Sequence, residues 1–381
     1  MQRSILIAGN GPASWGFVQG YRSAGGRKDL TVVASEWPAR NMPGMSKVIT
    51  GHVPDSHMQW KPENKWRAEV LSGTVQSIDS HQSRATWRDS FGFQVDCSFD
   101  VFVAAIGTQP RQMELPRGAW KIVHFHHSQD VVHWKSLRMG QRVVVVGGGL
   151  VGGEMVEMAI SKGCEVHWLI REPNLWGQWL PPVASRLLQA SAESLGVKLY
   201  LSCGDVGQRI LSLTPALVGV AIGARPRTLE GMKEAIPNVH VVGDAAGGAM
   251  GWVQARSEGH ALGKALARGE MAPKPSIVRD IPFKASFFND VVNLVGDWRN
   301  LQEQELAAQA IHRHHVVALY ESGGHCQTAV TLNVPVDSAR VLHALESGGN
   351  LEVIQESMLQ SIQSRDARHA QTELRKHWET C

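Results

Sequence analysis

The stretch RVVVVGGGLVGGEMVEMAISKGCEVHWLI, residues 142–170, decides the fold class of this chain. An apolar run with the length of a buried strand meets three glycines, a helical stretch follows, and a second apolar run ends at Ile170. This order predicts a βαβ unit, the repeating element of parallel sheets that carry helices on their faces. Such a unit commonly opens a chain or a domain, whereas this one begins in the middle of 381 residues.

The N-terminal stretch SILIAGNGPASWGF, residues 4–17, has the same pattern. A second strand, LTVVAS at residues 30–35, follows the predicted helix and leads into Glu36. Each copy is also followed by a later strand that ends in Gly-x-x-Pro, at residues 100–110 and 216–226. The sequence therefore predicts an internal duplication, with one copy starting near residue 4 and the other near residue 142.

The two glycine loops have the chemistry of pyrophosphate cradles. Backbone N–H groups at a helix start can approach a pyrophosphate only where no Cβ blocks the way. Gly147, Gly149 and Gly152 fit the pattern G-x-G-x-x-G, while Gly9 and Gly11 fit it with Ser14 in third place. The alternative for either loop is a tight turn without a ligand, but two loops in matching contexts favour two dinucleotides.

The residue that ends each second strand is the expected ribose contact. In the first copy it is Glu36, whose carboxylate suits ribose hydroxyls. In the second copy it is Ile170, followed by Arg171 and Glu172. Arg171 is either a partner for the 2′-phosphate of NADPH or a solvated cation, and Glu172 keeps NADH open.

Composition excludes several classes of partner. The chain is 43% hydrophobic and 19% charged with a net charge of +3, and we find no run of Lys and Arg that would bind nucleic acid or a membrane. The five cysteines are scattered without a C-x-x-C pair, which predicts a reduced, cytoplasmic protein. The apolar run before Gly9 is too short for a signal peptide, and no run reaches transmembrane length.

In this order the pieces resemble the two-dinucleotide flavoprotein reductases of the pyridine nucleotide-disulfide oxidoreductase superfamily. In that family an FAD domain is interrupted by an inserted NAD(P) domain, and a third domain follows, which explains the position of the quoted stretch. The resemblance implies an α/β fold: a Rossmann-like FAD-binding domain of residues 1–113 and 222–272, an inserted Rossmann-like NAD(P)-binding domain of residues 114–221, and a C-terminal α+β domain of residues 275–381.

Two further FAD signatures of the family have counterparts here. A strand ending in A-T-G is similar to Ala105–Ile106–Gly107, and a strand ending in G-D is similar to Gly243–Asp244. The resemblance implies that Asp244 binds the ribityl chain. It also implies that the helix starting near Trp252 points its N-terminus at the flavin, where the helix dipole favours negative charge.

The subgroup is indicated by residues 36–62, which lack the cysteine pair of disulfide reductases. Instead NMPGMSK, residues 41–47, is similar to the DRPPLSK stretch of reductases that serve ferredoxins and rubredoxins. This match implies that Lys47 lies near the flavin N5 and pairs with Glu154. The arginine of that stretch, a pyrophosphate contact, is Met42 here, and Arg40 is a substitute at a different spacing.

The tail supports the same subgroup. VVALYESGGHCQTAVTLNVP, residues 316–335, is similar to the strand pair of the ferredoxin-reductase C-terminal domain, with Gly323–Gly324 at its turn. PFKASFFNDVVNLVG, residues 282–296, resembles the segment that supplies an aromatic ring beside the flavin, although Lys284 replaces the tryptophan. Phe287 and Phe288 fit that role or plain core packing, and we favour packing.

The resemblance thus implies two sets of cofactor contacts and a catalytic pair, with no metal. The FAD contacts are Gly9, Gly11, Pro12, Ala13, Ser14, Glu36, Lys47, Val75, Ala105, Gly107, Gly243, Asp244, Trp252 and Val253. The NAD(P) contacts are Gly147, Gly149, Leu150, Val151, Gly152, Arg171 and Gly223. The catalytic pair is Lys47 and Glu154.

The roles of two histidine clusters and of a group of tryptophans stay open. Two histidine clusters, His124, His126, His127 and His133, and His312, His314 and His315, fit metal ligation or solvation, and solvation is favoured because no cysteine or carboxylate completes a metal spacing. The tryptophans of residues 168–179 could stack on a nicotinamide, but burial is favoured; they are Trp168, Trp176 and Trp179.

The resulting hypothesis is an FAD-dependent NAD(P)H oxidoreductase that passes hydride to flavin and then single electrons to an iron–sulfur protein. One alternative is an oxidase or tailoring reductase that acts on O₂ or a small organic molecule. Another is an FAD-binding scaffold that binds nicotinamide weakly. The sequence leaves open the acceptor, the choice between NADH and NADPH, and the oligomeric state, including a homodimer.

Overall fold

A computed structural model describes residues 2–60, 66–232, 238–247, 251–273, 282–348, 351–360, 372 and 379–380. The chain divides into two compact units, each built from two segments. The first unit comprises Met1–Arg111 and Gly223–Val278, and the second comprises Gln112–Ile222 and Arg279–Cys381. The predicted domain boundaries stay a prediction, because this division does not test what each segment binds.

The first segment of the first unit alternates strands and helices and then forms a meander. Its elements are β1 (Gln2–Ala8), α1 (Pro12–Ser23), β2 (Leu30–Ala34), β3 (Ala39–Arg40), α2 (Met45–Ile49), β4 (Gln59–Trp60), β5 (Ala68–Asp79), β6 (Arg84–Asp89), β7 (Gln94–Ala104) and β8 (Thr108–Pro110). Residues 37–60 contain the short antiparallel pair β3–β4 and the helix α2.

The first segment of the second unit contains the quoted stretch. Its elements are β9 (Lys121–Val123), α3 (Asp130–Lys135), β10 (Arg142–Val146), α4 (Leu150–Ser161), β11 (Glu165–Leu169), α5 (Pro182–Ser194), β12 (Lys198–Tyr200), α6 (Val206–Leu213) and β13 (Leu217–Val220). Because β10 and β11 are parallel neighbours joined by α4, the predicted βαβ unit is confirmed.

The chain then returns to the first unit with β14 (Ala224–Pro226), β15 (Val239–Val241) and α7 (Trp252–Arg268). The last segment holds β16 (Phe283–Phe287), β17 (Asp290–Gly296), β18 (Glu305–His312), β19 (His315–Ser322), β20 (His325–Leu332), α8 (Ser338–Glu346), α9 (Leu351–Gln360) and β21 (Glu379–Thr380). The predicted hairpin with Gly323–Gly324 at its turn is confirmed as β19–β20. Helix α9 ends at Gln360, and residues 361–371 and 373–378 lie outside the described part.

The first unit is a layered α/β structure. Strand β1 lies between β2 and β7 and is parallel to both, while β5 and β15 extend the parallel set on either side. One face packs against α1 and α7 in a core that includes Ile5, Phe17 and Leu262. The opposite face packs against the meander through residues that include Leu6 and Trp87. Burial on both faces explains why β1 and β2 are continuous apolar runs.

Helices α1 and α7 cross with their backbones in direct contact. A Cβ on Gly16 would lie 2.2 Å from the carbonyl oxygen of Arg256, and a Cβ on Gly259 would lie 2.0 Å from that of Ala13. Gly20 and Gly263, one turn further along each helix, are just as close to the opposite backbone. Glycines at four-residue spacing on both helices therefore set the close approach of α7 to the first glycine loop.

The second unit contains a parallel sheet and an antiparallel sheet. The parallel strands run in the order β12–β11–β10–β13–β9, with Val144, Leu169 and Val218 in the core. The antiparallel strands run in the order β16–β17–β20–β19–β18–β21, and α8 and α9 pack on them through Val341 and Ile354. The predicted α/β class, with an α+β C-terminal part, is confirmed.

The points where the chain leaves and re-enters the first unit are joined by a strand pair. Strands β8 and β14 are antiparallel, with Thr108 opposite Pro226 and Pro110 opposite Ala224. The Arg111 N–H donates to the Gly223 carbonyl at 3.0 Å. Across the described ranges, every helix is too short or too polar to span a bilayer.

Candidate functional site

The first glycine loop connects β1 to α1 under tight steric limits. Gly9 has a φ of +107°, and a Cβ there would lie 2.2 Å from the carbonyl oxygen of Ala105. Gly11 caps α1, and no described atom beyond its chain neighbours lies within 4 Å of a Cβ built on it. Gly9 is therefore required by the packing behind the loop, whereas Gly11 keeps the helix N-terminus accessible in front of it.

The second glycine loop repeats this geometry. Gly147 has a φ of +110°, and a Cβ there would lie 2.2 Å from the carbonyl oxygen of Ala221. Gly149 caps α4 and is as open as Gly11. Ala105 and Ala221 each begin an Ala-Ile-Gly sequence, so the duplication seen in the sequence extends to the atoms behind each loop.

The third position of the motif differs between the copies. The Ser14 hydroxyl donates to the Gly9 carbonyl at 2.8 Å, which closes the first loop from its own helix. A Cβ on Gly152 would lie 2.1 Å from the Gly147 carbonyl oxygen, so the second copy admits only glycine there. Ser14 thus closes the first loop with a hydrogen bond at the position where the second loop has glycine.

Glu36 lies beside the first loop with its carboxylate already engaged. Arg40 Nε donates to Glu36 Oε1 at 2.8 Å, and Arg40 Nη1 lies 3.0 Å from Asp55 Oδ2. Burial lowers the pKa of Arg40, but the bonds to Asp55 and Glu36 outweigh it and raise the pKa above the ordinary value. The Asn10 side-chain amide donates to the Glu36 carbonyl, which ties this residue to the loop.

The corresponding place in the second copy is apolar and then charged. Ile170 is buried, and a Cβ on Gly148 would lie 2.8 Å from its Cγ2. The Arg171 side chain is 87% exposed and donates to Glu172 Oε1 at 2.8 Å. A carboxylate acceptor and a cation therefore lie together at the position where the sequence predicts a ribose contact.

Gly243 and Asp244 are held by α7. The Gly243 N–H donates to Glu258 Oε2 at 3.1 Å, and the Gly251 N–H donates to Asp244 Oδ1 at 3.1 Å. Burial raises the pKa of Glu258, against the opposing bonds from Gln254 and Gly243. Sequence reasoning missed Glu258; its signal is a carboxylate one turn after Gln254 on the helix face that meets Gly243.

A cavity of about 190 Å³ opens between the start of α1, the segment 41–59 and the start of α7. It is lined by Pro12, Asn41, His57, Met58, Gln59, Trp252 and Arg256. Two predicted contacts from distant parts of the sequence, Pro12 and Trp252, therefore meet at one cavity in the first unit, together with Asn41 from the start of the 41–47 stretch; Lys47 is not among the lining residues.

The remaining predicted residues are distributed over helices, strands and turns of both units. Lys47 is half-buried in α2 of the first unit, and Glu154 is half-buried in α4 of the second, so their pairing stays a prediction. Val75 is buried in β5, and Val253 is exposed in the first turn of α7. The others are Ala13 in α1, Leu150 and Val151 at the start of α4, and the positive-φ glycines Gly107 and Gly223.

Most of the aromatic residues near the second loop are buried, namely Trp168, Trp176, Phe287 and Phe288, whereas Trp179 is half-buried. Trp168 is fully buried, and its indole N–H donates to the Gly147 carbonyl at 2.9 Å. Phe287 packs edge-on against Trp176 with ring centroids 4.9 Å apart. The favoured packing role of Phe287 and Phe288 agrees with their burial. The bond from Trp168 to the loop was not predicted.

The first histidine cluster makes local contacts. The backbone N–H groups of His126 and His127 donate to Asp130 Oδ2 at 2.8 and 2.9 Å, and His124 Nδ1 lies 3.1 Å from the Val220 carbonyl oxygen. Among the residues that the structure describes, His, Cys, Asp and Glu form no group of three or more suited to a metal ion.

Both loops fit a dinucleotide pyrophosphate. Each has a glycine backed by a carbonyl, an open glycine cap and a twelve-residue helix whose first N–H groups face the loop. The rest of each site also has acceptors for hydroxyl groups, Glu36 and Asp244 in the first unit and Glu172 in the second. The arrangement can hold one dinucleotide on each unit.

Comparisons with known proteins agree with this geometry. The sequence profile of the pyridine nucleotide-disulphide oxidoreductase family matches residues 3–228. Nitrite reductase [NAD(P)H] of Bacillus subtilis is 25% identical over 257 residues, 62% of this chain and 31% of that protein. Rubredoxin-NAD(+) reductase of Pseudomonas putida is 25% identical over 246 residues, 58% of this chain and 62% of that protein. The chain thus matches less than two thirds of the length of either relative.

The same fold occurs in solved structures. Putidaredoxin reductase, in its covalent complex with putidaredoxin, superposes with a TM-score of 0.76 at 17% identity, over 94% of this chain and 99% of that chain. At this identity the likeness establishes the fold, and it extends beyond the residues that the family profile matches.

Proposed function

The chain belongs to the pyridine nucleotide-disulphide oxidoreductase family, and from that premise we propose that it passes electrons from NAD(P)H by way of FAD to an iron–sulfur protein. The predicted family and the predicted cofactors, FAD and NAD(P)H, are confirmed at the level of the family. The transfer reaction, the acceptor and the role of each residue are the proposal.

The doubled loop geometry carries the proposal. Gly9 against Ala105 and Gly147 against Ala221 give two cradles of the same shape, one on each unit. A nicotinamide supplies a hydride and a flavin accepts it and releases electrons one at a time, which suits an iron–sulfur acceptor. Two cradles are what such a reaction needs, because donor and carrier must be bound together.

In the first unit, we assign FAD to the loop at Gly9 and Gly11. The first N–H groups of α1 would bind the pyrophosphate, Glu36 the adenosine ribose, and Asp244 the ribityl chain. The N-terminus of α7, at Trp252 and Val253, would face the flavin and stabilise negative charge on it through the helix dipole. The cavity that Pro12 and Trp252 line supports this assignment.

In the second unit, we assign NAD(P)H to the loop at Gly147 and Gly149. The first N–H groups of α4 would bind its pyrophosphate, and Arg171 with Glu172 would contact the adenosine ribose. Lys47 would orient the nicotinamide or stabilise charge at the flavin N5, and Glu154 would hold Lys47. These two side chains need no proton-transfer role for a hydride to move.

The acceptor is inferred from what this chain has and from its relatives. Among the residues that the structure describes, Cys97, Cys164, Cys203 and Cys326 form no disulfide. Residues 36–60, where disulfide reductases carry their redox pair, hold no cysteine. Two similar proteins, rubredoxin-NAD(+) reductase and putidaredoxin reductase, are named for iron–sulfur proteins. A net charge of +3 suits an acidic partner.

Anaerobic stopped-flow spectroscopy tests the proposal. The purified protein should carry FAD, and NADH or NADPH should bleach the flavin absorbance at 450 nm within about a second, in keeping with ordinary turnover rates. Addition of a ferredoxin or rubredoxin should restore the absorbance. Purified protein that lacks flavin contradicts the proposal. Flavin that stays oxidised with both NADH and NADPH also contradicts it and favours the FAD-binding scaffold.

The same apparatus separates the other alternative. If reduced flavin is reoxidised rapidly by O₂ or a small quinone but not by any iron–sulfur protein, the chain is an oxidase or a tailoring reductase. The matched comparison is the rate of flavin reoxidation by O₂ and by the iron–sulfur protein at equal concentrations. An electron-transfer reductase should react faster with the iron–sulfur protein, and an oxidase should react faster with O₂.

A further inference from the structure

The backbone of Gly147 is held on both sides by two consecutive residues of β11. Its N–H donates to the Leu169 carbonyl at 2.9 Å, and its carbonyl accepts from Trp168 Nε1 at 2.9 Å. In the first unit the Gly9 N–H donates to Val33 in the same way, at 3.0 Å, but the Gly9 carbonyl is closed by Ser14 of its own helix. The same carbonyl is therefore anchored by different chemistry in the two copies.

Trp168 is itself held by the last segment of the chain. Its ring is fully buried and lies against Phe288, with centroids 5.8 Å apart and planes at 59°. Phe288 occupies the turn between β16 and β17, where it and Asn289 have φ angles of 55° and 70°. The Phe288 N–H donates to Glu157 Oε1 on α4 at 2.9 Å, which fixes the turn.

A second contact ties the same turn to the helix that follows the loop. Phe287 packs so closely on α4 that a Cβ on Gly153 would lie 3.0 Å from its ring. The β16–β17 turn therefore touches both the indole behind the glycine loop and the first turns of α4. All of these contacts lie within the second unit.

We propose that Trp168 is a positioning residue for the pyrophosphate of NAD(P)H, and that the β16–β17 turn, through Phe288, holds its indole in place. The proposal rests on the proposed function, which assigns NAD(P)H to this loop. The N–H groups of Gly149 and its successors face a ligand only while the Gly147 peptide keeps its orientation. Removal of the indole N–H frees the Gly147 carbonyl to rotate, so the cradle loses its fixed shape before a ligand arrives.

The test compares two buried tryptophans of the same unit. Trp168→Phe keeps an aromatic ring against Phe288 and removes the N–H. The control is Trp134→Phe: Trp134 is also fully buried, and its Nε1 donates to the His124 carbonyl at 3.3 Å, away from the glycine loop. Isothermal titration calorimetry on the FAD-loaded proteins measures the dissociation constant for ADP-ribose, which needs no turnover.

We expect Trp168→Phe to raise the dissociation constant for ADP-ribose roughly fivefold to tenfold, the effect of losing one preorganising hydrogen bond. The concentration of NAD(P)H that half-saturates flavin reduction should rise by the same factor, while the limiting rate stays within about twofold, because the bond acts on binding rather than on hydride transfer. Trp134→Phe should lower the melting temperature and leave the dissociation constant unchanged.

A second variant tests the link to the turn. Phe288→Leu leaves Trp168 intact and removes the ring against it, and it should raise the dissociation constant by a smaller factor, about twofold to threefold; it carries the test if Trp168→Phe does not fold. Trp168→Phe with unchanged affinity, or Trp134→Phe with an equal loss, overturns the proposal. Wild-type protein that does not bind ADP-ribose instead overturns the assignment of NAD(P)H to this loop.

Discussion

The carbonyl oxygen of Ala105 occupies the space that a Cβ on Gly9 would need, at 2.2 Å from it. Ala221 stands in the same relation to Gly147, also at 2.2 Å. In each unit the Ala-Ile-Gly segment that follows β7 or β13 thus places a carbonyl against the first glycine of the loop. The loop cannot move back to admit a side chain, so this contact sets how far the helix N-terminus projects.

Substitution of the first glycine of one loop should weaken the binding of one cofactor and spare that of the other. Alanine at Gly9 or Gly147 combines a positive φ with a backbone clash, which weakens binding at that loop by roughly tenfold or more. Gly9→Ala should therefore lose FAD during purification, while Gly147→Ala should keep FAD and resist reduction by NAD(P)H. Flavin absorbance and anaerobic reduction rates measure the two effects. Gly25→Ala, at φ +87° with no described atom within 4 Å, is the control that carries strain without the clash.

The contact of α1 with α7 should make Gly259 intolerant of any side chain. Gly259→Ala places a Cβ 2.0 Å from the Ala13 carbonyl oxygen, and overpacking of this kind costs about 1–3 kcal/mol of the free energy of unfolding. Gly207→Ala in α6 meets its nearest atom at 3.6 Å and should stabilise by about 0.5–1 kcal/mol. Urea unfolding measures both. A neutral Gly259→Ala would mean that the helices can separate at little cost.

Glu258 should make stability depend on pH. Burial raises the pKa of this carboxyl in the folded protein, so its contribution to stability is fully present below the ordinary pKa of glutamate and is lost as pH rises through the folded value. Glu258→Gln keeps an oxygen for the Gly243 N–H and cannot ionise. Its melting temperature relative to wild type should therefore rise from pH 4 to pH 8. Glu193→Gln, at an exposed position on α5, is the control and should show no such trend. A difference in melting temperature between Glu258→Gln and wild type that stays constant from pH 4 to pH 8 would contradict this account.

The pair Arg171–Glu172 should tune the choice of nicotinamide. Glu172→Ala releases Arg171 from its 2.8 Å partner, which favours the 2′-phosphate of NADPH. Arg171→Ala removes that cation and favours NADH. Because Arg171 is 87% exposed, each change in the ratio of the two dissociation constants should be modest, about twofold to fivefold. Arg186→Ala on α5 removes an exposed cation elsewhere and should leave the ratio unchanged. If all variants have the same ratio as wild type, Arg171 and Glu172 do not determine coenzyme preference.

Sequence reasoning succeeded where glycine reports a backbone constraint. Gly9 and Gly147 stand between a buried strand and a helix because every other residue would clash, so their positions reveal the βαβ units directly. The repeated Ala-Ile-Gly likewise indicates the duplication. The family, the fold class and the two cofactors could be predicted from these features.

The parts that were missed depend on contacts between distant segments. The bond from Trp168 to Gly147 spans 21 residues, and the ring that holds Trp168 comes from residue 288. The role of Glu258 depends on its bond to the Gly243 N–H, 15 residues away. The two-residue strands β3 and β4 are too short to show periodicity. Side chains that act through a partner far along the chain have no local pattern to reveal them.

The strand pair β8–β14 bears on how such proteins can be rebuilt. Because Arg111 and Gly223 are already joined by a hydrogen bond, the cut ends left by deleting residues 112–222 would lie side by side. A short linker is enough to close the gap, since loop closure over a few residues costs little entropy. This junction is therefore a suitable point for domain exchange. A nucleotide-binding domain from another protein could be inserted there while β8 and β14 stay paired.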